Sequence, residues 1–437
     1  MKKIFVTFIL TVTILSAQSN PLTLDECLEI GLKSSNKIRI AEYNIIYSNS
    51  RISEIKSQQL PQVSLTAQYS RLSDIPPFEV SVPVFEEKIK IQDPILNNYG
   101  VQAGVRQIIF SGFKLSSLIS GAQNLKISAE IDYQRIKNEV SLDIQKAYWI
   151  LLKSQKYLNY VQENLNRMYK HLENTKKFLE SGLATKNDLL KLEVQVSSSE
   201  LKKIEAEKLL SISRSSLNKE LGLPLNYYTT LKEVEFYYAF SAGDFNEIIA
   251  EALNNREELK SSEYKIESHK SFVNAEKSGR YPQIIGFVNY YYSNPNQRIL
   301  PLQDTFIDTW DVGVSLRWNI WDWGTTSSRV EQSKQGLNQA VEYNVLLKET
   351  IQLEVYNNFL QLEYQLKKIE ISKTALKSAI ENHRITNKKY NQQLFTSTDL
   401  IDSELERLKT ETDFLNARID YKITEVVLLK SIGRKLY

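Results

Sequence analysis

The sequence predicts a mainly α-helical protein with a transmembrane β-barrel, built from an internal duplication of long-helix hairpins. Three observations carry this: two aligned copies of one unit, long stretches without helix breakers, and short strands that alternate apolar and polar residues. The duplication organises the rest. Residues 24–69 align with 245–290 at an offset of 221, which sets Glu26 on Glu247, Pro61-Gln62 on Pro282-Gln283 and Tyr69 on Tyr290. Residues 101–222 align with 312–433 at an offset of 211, which sets Val101 on Val312, Asp188-Leu189 on Asp399-Leu400 and Gly222 on Gly433. The offset falls because the first copy has a longer loop between residues 70 and 98. A period above 200 residues is a duplicated domain half and not a solenoid.

The N-terminal segment MKKIFVTFILTVTILSA, residues 1–17, has two lysines, an apolar run from Ile4 to Leu15 and small residues at its end. That is the layout of a secretory signal peptide, too short to span a bilayer, with cleavage expected after Ala17. Cys27 lies inside the helical pattern LDECLEIGL and reads as a small buried apolar residue. No later run of 18 apolar residues occurs, so no transmembrane helix is expected.

Composition narrows the function classes. The chain has 55 Lys+Arg against 52 Asp+Glu, a formal net charge of +3, and losing Lys2 and Lys3 with the leader would leave +1. Nothing here gives the clustered basic surface that a nucleic-acid partner needs. One cysteine excludes an intramolecular disulfide framework, and three scattered histidines, His171, His269 and His383, argue against a histidine zinc enzyme. No cofactor is expected. No Ser/His/Asp arrangement, nucleophile elbow or phosphate loop supports an enzyme, and carboxylates scattered along helices read as a solvated face.

The first repeat is placed at 18–222: a helix, a β-hairpin about 62–110, a long helix about 114–181 and a return helix about 186–221. The second, 244–437, repeats the order with a hairpin about 283–321, a long helix about 325–391 and a return helix about 397–432. Proline is absent from 95 to 223 and from 302 to 437, and glycine from 122 to 181 and from 337 to 432, which leaves room for very long helices. Within the first of them, Val140, Ile144, Ala147, Leu151, Ser154, Leu158, Val161, Leu165, Met168, Leu172, Thr175 and Leu179 step by four and three without a break. That is a heptad seam. The second copy keeps it more loosely through Ile351, Val355, Leu362, Ile369, Leu376, Ala379 and Tyr390. A helix over about 114–181 would be roughly 100 Å long.

The hairpins follow a period of two. Val63, Leu65, Ala67 and Tyr69 alternate with polar residues, as do Trp310, Val312, Val314, Leu316, Trp318 and Ile320, whereas the partner strands alternate less cleanly. Strands of roughly 9–11 residues with one apolar and one polar face match a transmembrane barrel. Tyr69, Tyr99, Tyr290, Tyr292, Trp310 and Trp318 suit the interfacial aromatic belts. A membrane sheet must close on itself, and four strands fall short of the roughly eight of the smallest barrels. Several copies must therefore share one barrel. Two would give an interior filled by side chains; three could leave an open lumen.

With the order helix, Leu60-Pro61-Gln62, hairpin, Phe110-Ser111-Gly112 or Trp321-Asp322-Trp323-Gly324, long helix, tip turn and return helix, the chain resembles the TolC-like outer membrane efflux protein family over essentially its whole mature length. The resemblance implies a homotrimer with a trimeric α-barrel in the periplasm and a shared 12-stranded β-barrel, four strands per protomer, in outer membrane lipid. It also implies a periplasmic adaptor (membrane fusion protein) and an inner-membrane pump of RND or ABC type as partners. The function it implies is the exit duct of a tripartite efflux or type I secretion system, a passive channel gated at its periplasmic tip. The alternative is a periplasmic coiled-coil scaffold or adaptor without a barrel. Residues 223–243, with strand-like Tyr227-Tyr228 and Phe236-Tyr237-Tyr238, would form an equatorial linker between the copies.

The tip turns are Ser181-Gly182-Leu183-Ala184-Thr185-Lys186-Asn187-Asp188 and Gln392-Gln393-Leu394-Phe395-Thr396-Ser397-Thr398-Asp399. Each ends in Thr-x-x-Asp, a capping-box pattern, so Asp188 and Asp399 are read as helix caps as readily as pore residues. Asp402 stands one turn after Asp399 on the same face. By resemblance, Asp399 and Asp402 match the acidic pair that rings the periplasmic aperture, and Tyr390 and Asp188 match two gate-locking positions. Phe395 stands where the family has an arginine, which favours apolar closure over a salt-bridge latch. Gly182-Leu183 matches the tip that adaptors grip, where the second copy has Gln393-Leu394.

Overall fold

The computed structural model describes residues 21–81, 83, 88–232, 236 and 244–437. The signal-peptide assignment and Tyr237-Tyr238 lie outside the described residues. Two short helices open each repeat: α1 (Leu24–Ser34) and α2 (Asn36–Ser57), then α5 (Phe245–Asn255) and α6 (Glu257–Lys277). Thr23 and Glu26 start α1 through a reciprocal capping box, and Asp244 caps α5. The strands are β1 (Gln62–Arg71), β2 (Phe78–Ser81), β3 (Lys88–Gln92), β4 (Asn97–Phe110), β5 (Gln283–Asn294) and β6 (Ile307–Arg317). The long helices are α3 (Lys114–Glu180) and α7 (Thr325–Asn391), each of 67 residues, and the return helices are α4 (Lys186–Leu221) and α8 (Ser397–Ser431).

The chain falls into two compact units. One takes in the described residues up to Ile40 together with Tyr133–Glu257 and Lys348–Tyr437. Its core holds Cys27, Ile144, Tyr148, Leu151, Leu217, Leu221, Leu415 and Ile419, and smaller clusters follow, such as Val161 with Ala206 and Leu408. Burial pushes the Cys27 thiol up to about 12, which makes it inert packing. The α3 seam is inside: Val140, Ile144, Leu151, Val161, Leu165 and Met168 are buried, with Leu158, Leu172 and Leu179 half-buried.

The other unit, Ala41–Asp132 and Glu258–Leu347, carries the sheet. Its strand order is β1-β4-β5-β6, all antiparallel. Ile52 and Ile55 of α2 pack on Ala122 of α3 at its helical end. Each strand-to-helix turn passes through two left-handed residues, Gly112-Phe113 in the first copy and Trp323-Gly324 in the second. At Gly112 a Cβ would come within 2.8 Å of the Ser278 carbonyl oxygen, so the turn needs glycine for space as well as for φ.

Three details depart from the sequence reading. The segment taken as a plain loop between residues 70 and 98 contains the ribbon β2–β3. Tyr227-Tyr228 and Phe236 are not in strands; among the described residues the linker instead makes a parallel bridge between Leu231 and Leu22. Finally, β6 stops at Arg317, short of Trp318 and Ile320. Arg317 pairs with Gln283, and the residue before Gln283 is Pro282, which has no N–H to offer Trp318.

Candidate functional site

At the tip of the helical unit, α3 and α7 end in the same way. Leu183 N–H donates to Phe178 C=O at 2.7 Å and Gly182 N–H to Leu179 C=O at 3.0 Å; Leu394 and Gln393 repeat the pair on Lys389 and Tyr390, at 2.9 Å each. These are Schellman turns, and they require a left-handed residue. Gly182 has φ +72° and Gln393 φ +62°, so the second tip holds a glutamine where the first has the unstrained glycine.

The return helices then start on capping boxes. Asp188 accepts from Thr185 N–H at 3.0 Å while its own N–H donates to Thr185 Oγ1 at 3.2 Å; Thr396 and Asp399 make the same pair at 2.8 and 3.2 Å. The second oxygen of Asp188 accepts from Ser397 Oγ at 2.6 Å, which ties the start of α4 to the start of α8. The Ser397 hydroxyl, and then Thr185, hold the Asp188 carboxyl below the usual aspartate range; Thr396 does so for Asp399. Asp402 is exposed one turn further along α8, and among the described residues it makes no hydrogen bond or ion pair.

Tyr390 is buried, and its hydroxyl lies 2.6 Å from Thr175 Oγ1, which also donates to His171 C=O at 2.8 Å. Burial pushes the Tyr390 phenol up. Tyr390, Asp188, Phe395, Leu183, Phe178 and Ser397 line one cavity of about 130 Å³. Lys389 Nζ sits 4.7 Å over the Phe395 ring, so this aromatic itself carries a cation. The geometry thus gathers Tyr390, Asp188 and Phe395, with Asp399 at the adjoining cap. It adds Thr175 and Ser397, which a single sequence hides because a seam threonine and a cap-following serine look like ordinary helix residues. Gly182, Leu183, Gln393 and Leu394 stand exposed at the two turns.

The four-stranded sheet divides cleanly into two faces. The register sets Val63, Leu65, Ala67 and Tyr69 opposite Val105, Ala103, Val101 and Tyr99, and these in turn opposite Val288, Tyr290, Tyr292 and Asn294. The row continues on β6 through Trp310, Val312 and Val314. One face is therefore almost wholly apolar, yet Leu65 is 75% and Val312 65% exposed. Tyr69 and Tyr99 touch at 5.0 Å between ring centroids, Tyr290 faces Trp310 across the β5–β6 pair, and Tyr292 stacks on Phe306. Trp318 lies past the strand and donates its indole N–H to Arg280 C=O at 3.2 Å. On the opposite face Gln102 donates to Asn289 at 3.3 Å and Asn289 to Asp311 at 2.8 Å, with Ser64, Thr66 and Arg106 beside them. Strands β1 and β6 are the sheet's margins, each paired on one side only among the described residues.

A match to known proteins fits this geometry. The model of the outer membrane efflux protein family matches residues 29–223 and again 248–434. The chain is 22% identical over 394 residues to the outer membrane protein TolC of Vibrio cholerae serotype O1, spanning 87% of this chain and 84% of that one. To TolC of Escherichia coli K12 it is 21% identical over 394 residues, spanning 88% and 76%. Among solved structures, the Vibrio cholerae outer membrane protein VceC superposes with a TM-score of 0.77 at 14% identity, over 95% of this chain and 97% of that one. The Campylobacter jejuni CmeC outer membrane channel gives 0.75 at 16% identity, over 96% and 90%. Two copies of the family's unit, two tip turns of one design and a sheet with a bare apolar face place this chain in the outer membrane efflux protein family.

Proposed function

We propose that the chain is an outer membrane exit duct of a tripartite efflux or type I secretion system, working as a homotrimer. The single observation that carries this is the sheet: a bare apolar face, a polar face behind it, and two margins unpaired among the described residues. Such a sheet is stable in lipid only when closed, and three copies supply twelve strands with the polar face turned to a lumen. Tyr69, Tyr99, Tyr290, Tyr292, Trp310 and Trp318 then sit at the membrane belts. The helical unit serves as the periplasmic conduit, closed at its tip and joined there by an adaptor and an inner-membrane pump. Asp399 and Asp402 of three copies place six carboxylates about one axis, where they attract cations. Tyr390, Asp188 and Phe395 hold the closed tip, and Gly182-Leu183 and Gln393-Leu394 meet the adaptor. A scaffold without a barrel would leave the apolar face of the sheet in water.

The test has three arms. Heat-modifiable trimers in outer-membrane fractions support the duct; monomers in the soluble periplasm refute it. Asp399→Ala with Asp402→Ala raises bilayer conductance and weakens block by divalent cations, and unchanged block removes both from the aperture. Bulky charged residues at Gly182 or Leu183 abolish export while trimers still insert; full export removes the tips from adaptor contact.

A further inference from the structure

The two histidines that look unrelated in the sequence meet inside the helical unit. The His171 and His383 rings lie 6.4 Å apart, and both approach one carboxylate oxygen of Glu404, Nε2 to Oε1, at 3.9 and 3.0 Å. Glu404 has no exposed surface. Arg167 Nε donates to its two oxygens at 2.9 and 3.0 Å, and Asn164 Nδ2 donates at 3.1 Å. On the far side His383 Nδ1 lies 3.3 Å from Ser403 Oγ. The cluster joins α3, α7 and α8, and Ser199 of α4 reaches Asn164 at 3.4 Å. It is not fully satisfied: Arg167 Nη2 and both ring nitrogens of His171 lack a hydrogen-bond partner among the described residues.

Buried ion pairs rarely add net stability, because desolvation offsets attraction, but they fix register and respond strongly to any added charge. With neutral imidazoles this cluster balances, Arg167 against Glu404. A proton on His383 gives it a surplus positive charge in a buried site. The other charges nearby do not absorb that surplus. On α3, Glu163 is mostly exposed and 3.7 Å from Arg167; on α8, Arg407 is engaged by Glu411 at 2.9 Å; on α7, Arg384 pairs outward with Glu381. On α4, Glu200 takes the Tyr169 hydroxyl at the surface.

The cluster also touches the gate. His171 C=O holds Thr175, whose hydroxyl holds Tyr390; His383 lies two turns before Tyr390 on α7, and Glu404 follows Asp399 by little more than one turn of α8. We propose that Glu404, Arg167, His383 and His171 form a proton-responsive clasp that keeps α8 and α7 seated on α3, and that acidification releases it and loosens the tip. This rests on the duct reading and adds a stimulus to it.

The direction follows from linkage. Burial holds His383 below the usual histidine range, outweighing the attraction of Glu404, while the Glu404 carboxyl is lowered to about 2 and stays ionised throughout. A depressed histidine contributes stability above its ordinary titration range, and that stability is lost as pH falls through the depressed folded value.

The experiment uses the full chain as assembled, carrying Asp399→Ala and Asp402→Ala so that aperture carboxylates do not titrate. It compares this background with the same protein bearing His171→Gln and His383→Gln. Two readouts run from about pH 7.5 to about pH 5, across the histidine range: bilayer conductance, and hydrogen-exchange protection of residues 383–410 after correction for intrinsic rates. The parent loses protection and gains open conductance as pH falls through the histidine range, and the double-glutamine protein is flat in both. Equal pH dependence in the two proteins overturns the clasp, as does a parent that keeps its protection at the acid end. A protein that shows the exchange response yet never conducts supports the clasp and counts against the duct alone.

Discussion

Replacing Val312 with arginine gives the sharpest test of which face of the sheet meets lipid. Val312 is the sixth of the eleven residues of β6, opposite Val288, on the face shared with Leu65 and Val105. An arginine at the middle of a lipid-facing strand destabilises a barrel by about 2–4 kcal/mol. Each trimer carries three copies, so the assembled penalty is roughly 6–12 kcal/mol, comparable with the whole stability of an ordinary domain. Ser315, three residues on, pairs with Ile285 and points to the polar face. Ser315→Arg therefore leaves assembly within about 0.5 kcal/mol of the parent and alters only ion selectivity. The assay is urea unfolding of trimers reconstituted in liposomes, followed by the heat-dependent mobility shift. Equal stability of the two variants, or greater damage from Ser315→Arg, would refute the assignment of faces.

Other predictions concern the helical tip. Gln393→Gly removes a left-handed glutamine and raises stability by about 0.5–1 kcal/mol, whereas Gly182→Gln lowers it by a similar amount, since a Cβ at Gly182 meets nothing within 4 Å and only φ is at stake; paired thermal melts read this out. Thr396→Ala removes the α8 cap at a loss of about 1 kcal/mol, seen as faster amide exchange at residues 397–400. Asp188 and Asp399 titrate below the usual aspartate range, so their contribution is complete above that range and disappears as pH falls through the lowered folded values. Ser397→Ala moves the Asp188 titration up, measured by carboxyl NMR. Tyr390→Phe deletes the hydroxyl that meets Thr175 and weakens tip closure by about 1 kcal/mol, read as a higher open probability.

The fold class was legible because its signals are periodic or compositional. Val63 to Tyr69 alternate on a strand whose two faces differ in solvent, and the α3 seam repeats every three or four residues because one stripe is buried. Strand β4 was blurred: its register slips between Ile108 and Phe110, and a bulge shifts the alternation by one residue. Trp318 and Ile320 misled in the opposite way, keeping the apolar alternation after the backbone partner had run out at Pro282. The β2–β3 ribbon has no buried face to impose a pattern, so Phe78 and Ile89 gave no signal. At the tip, the Thr-x-x-Asp spacing exposed both caps, whereas Thr175 beneath Tyr390 is 215 residues from its partner. Glu404 was the hardest. Glutamate is rarely fully buried, and the arginine and histidine that make its burial tolerable are 237 and 21 residues away, a relation that only folding creates.

The bare margins of the sheet have a consequence for biogenesis. A newly exported copy travelling alone presents two ribbons of amide and carbonyl groups that no strand among the described residues meets, ready to zip onto an extended peptide. Those ribbons are covered only when siblings arrive. Because several siblings must meet at once, the yield of finished pores falls more steeply than the amount of polypeptide supplied.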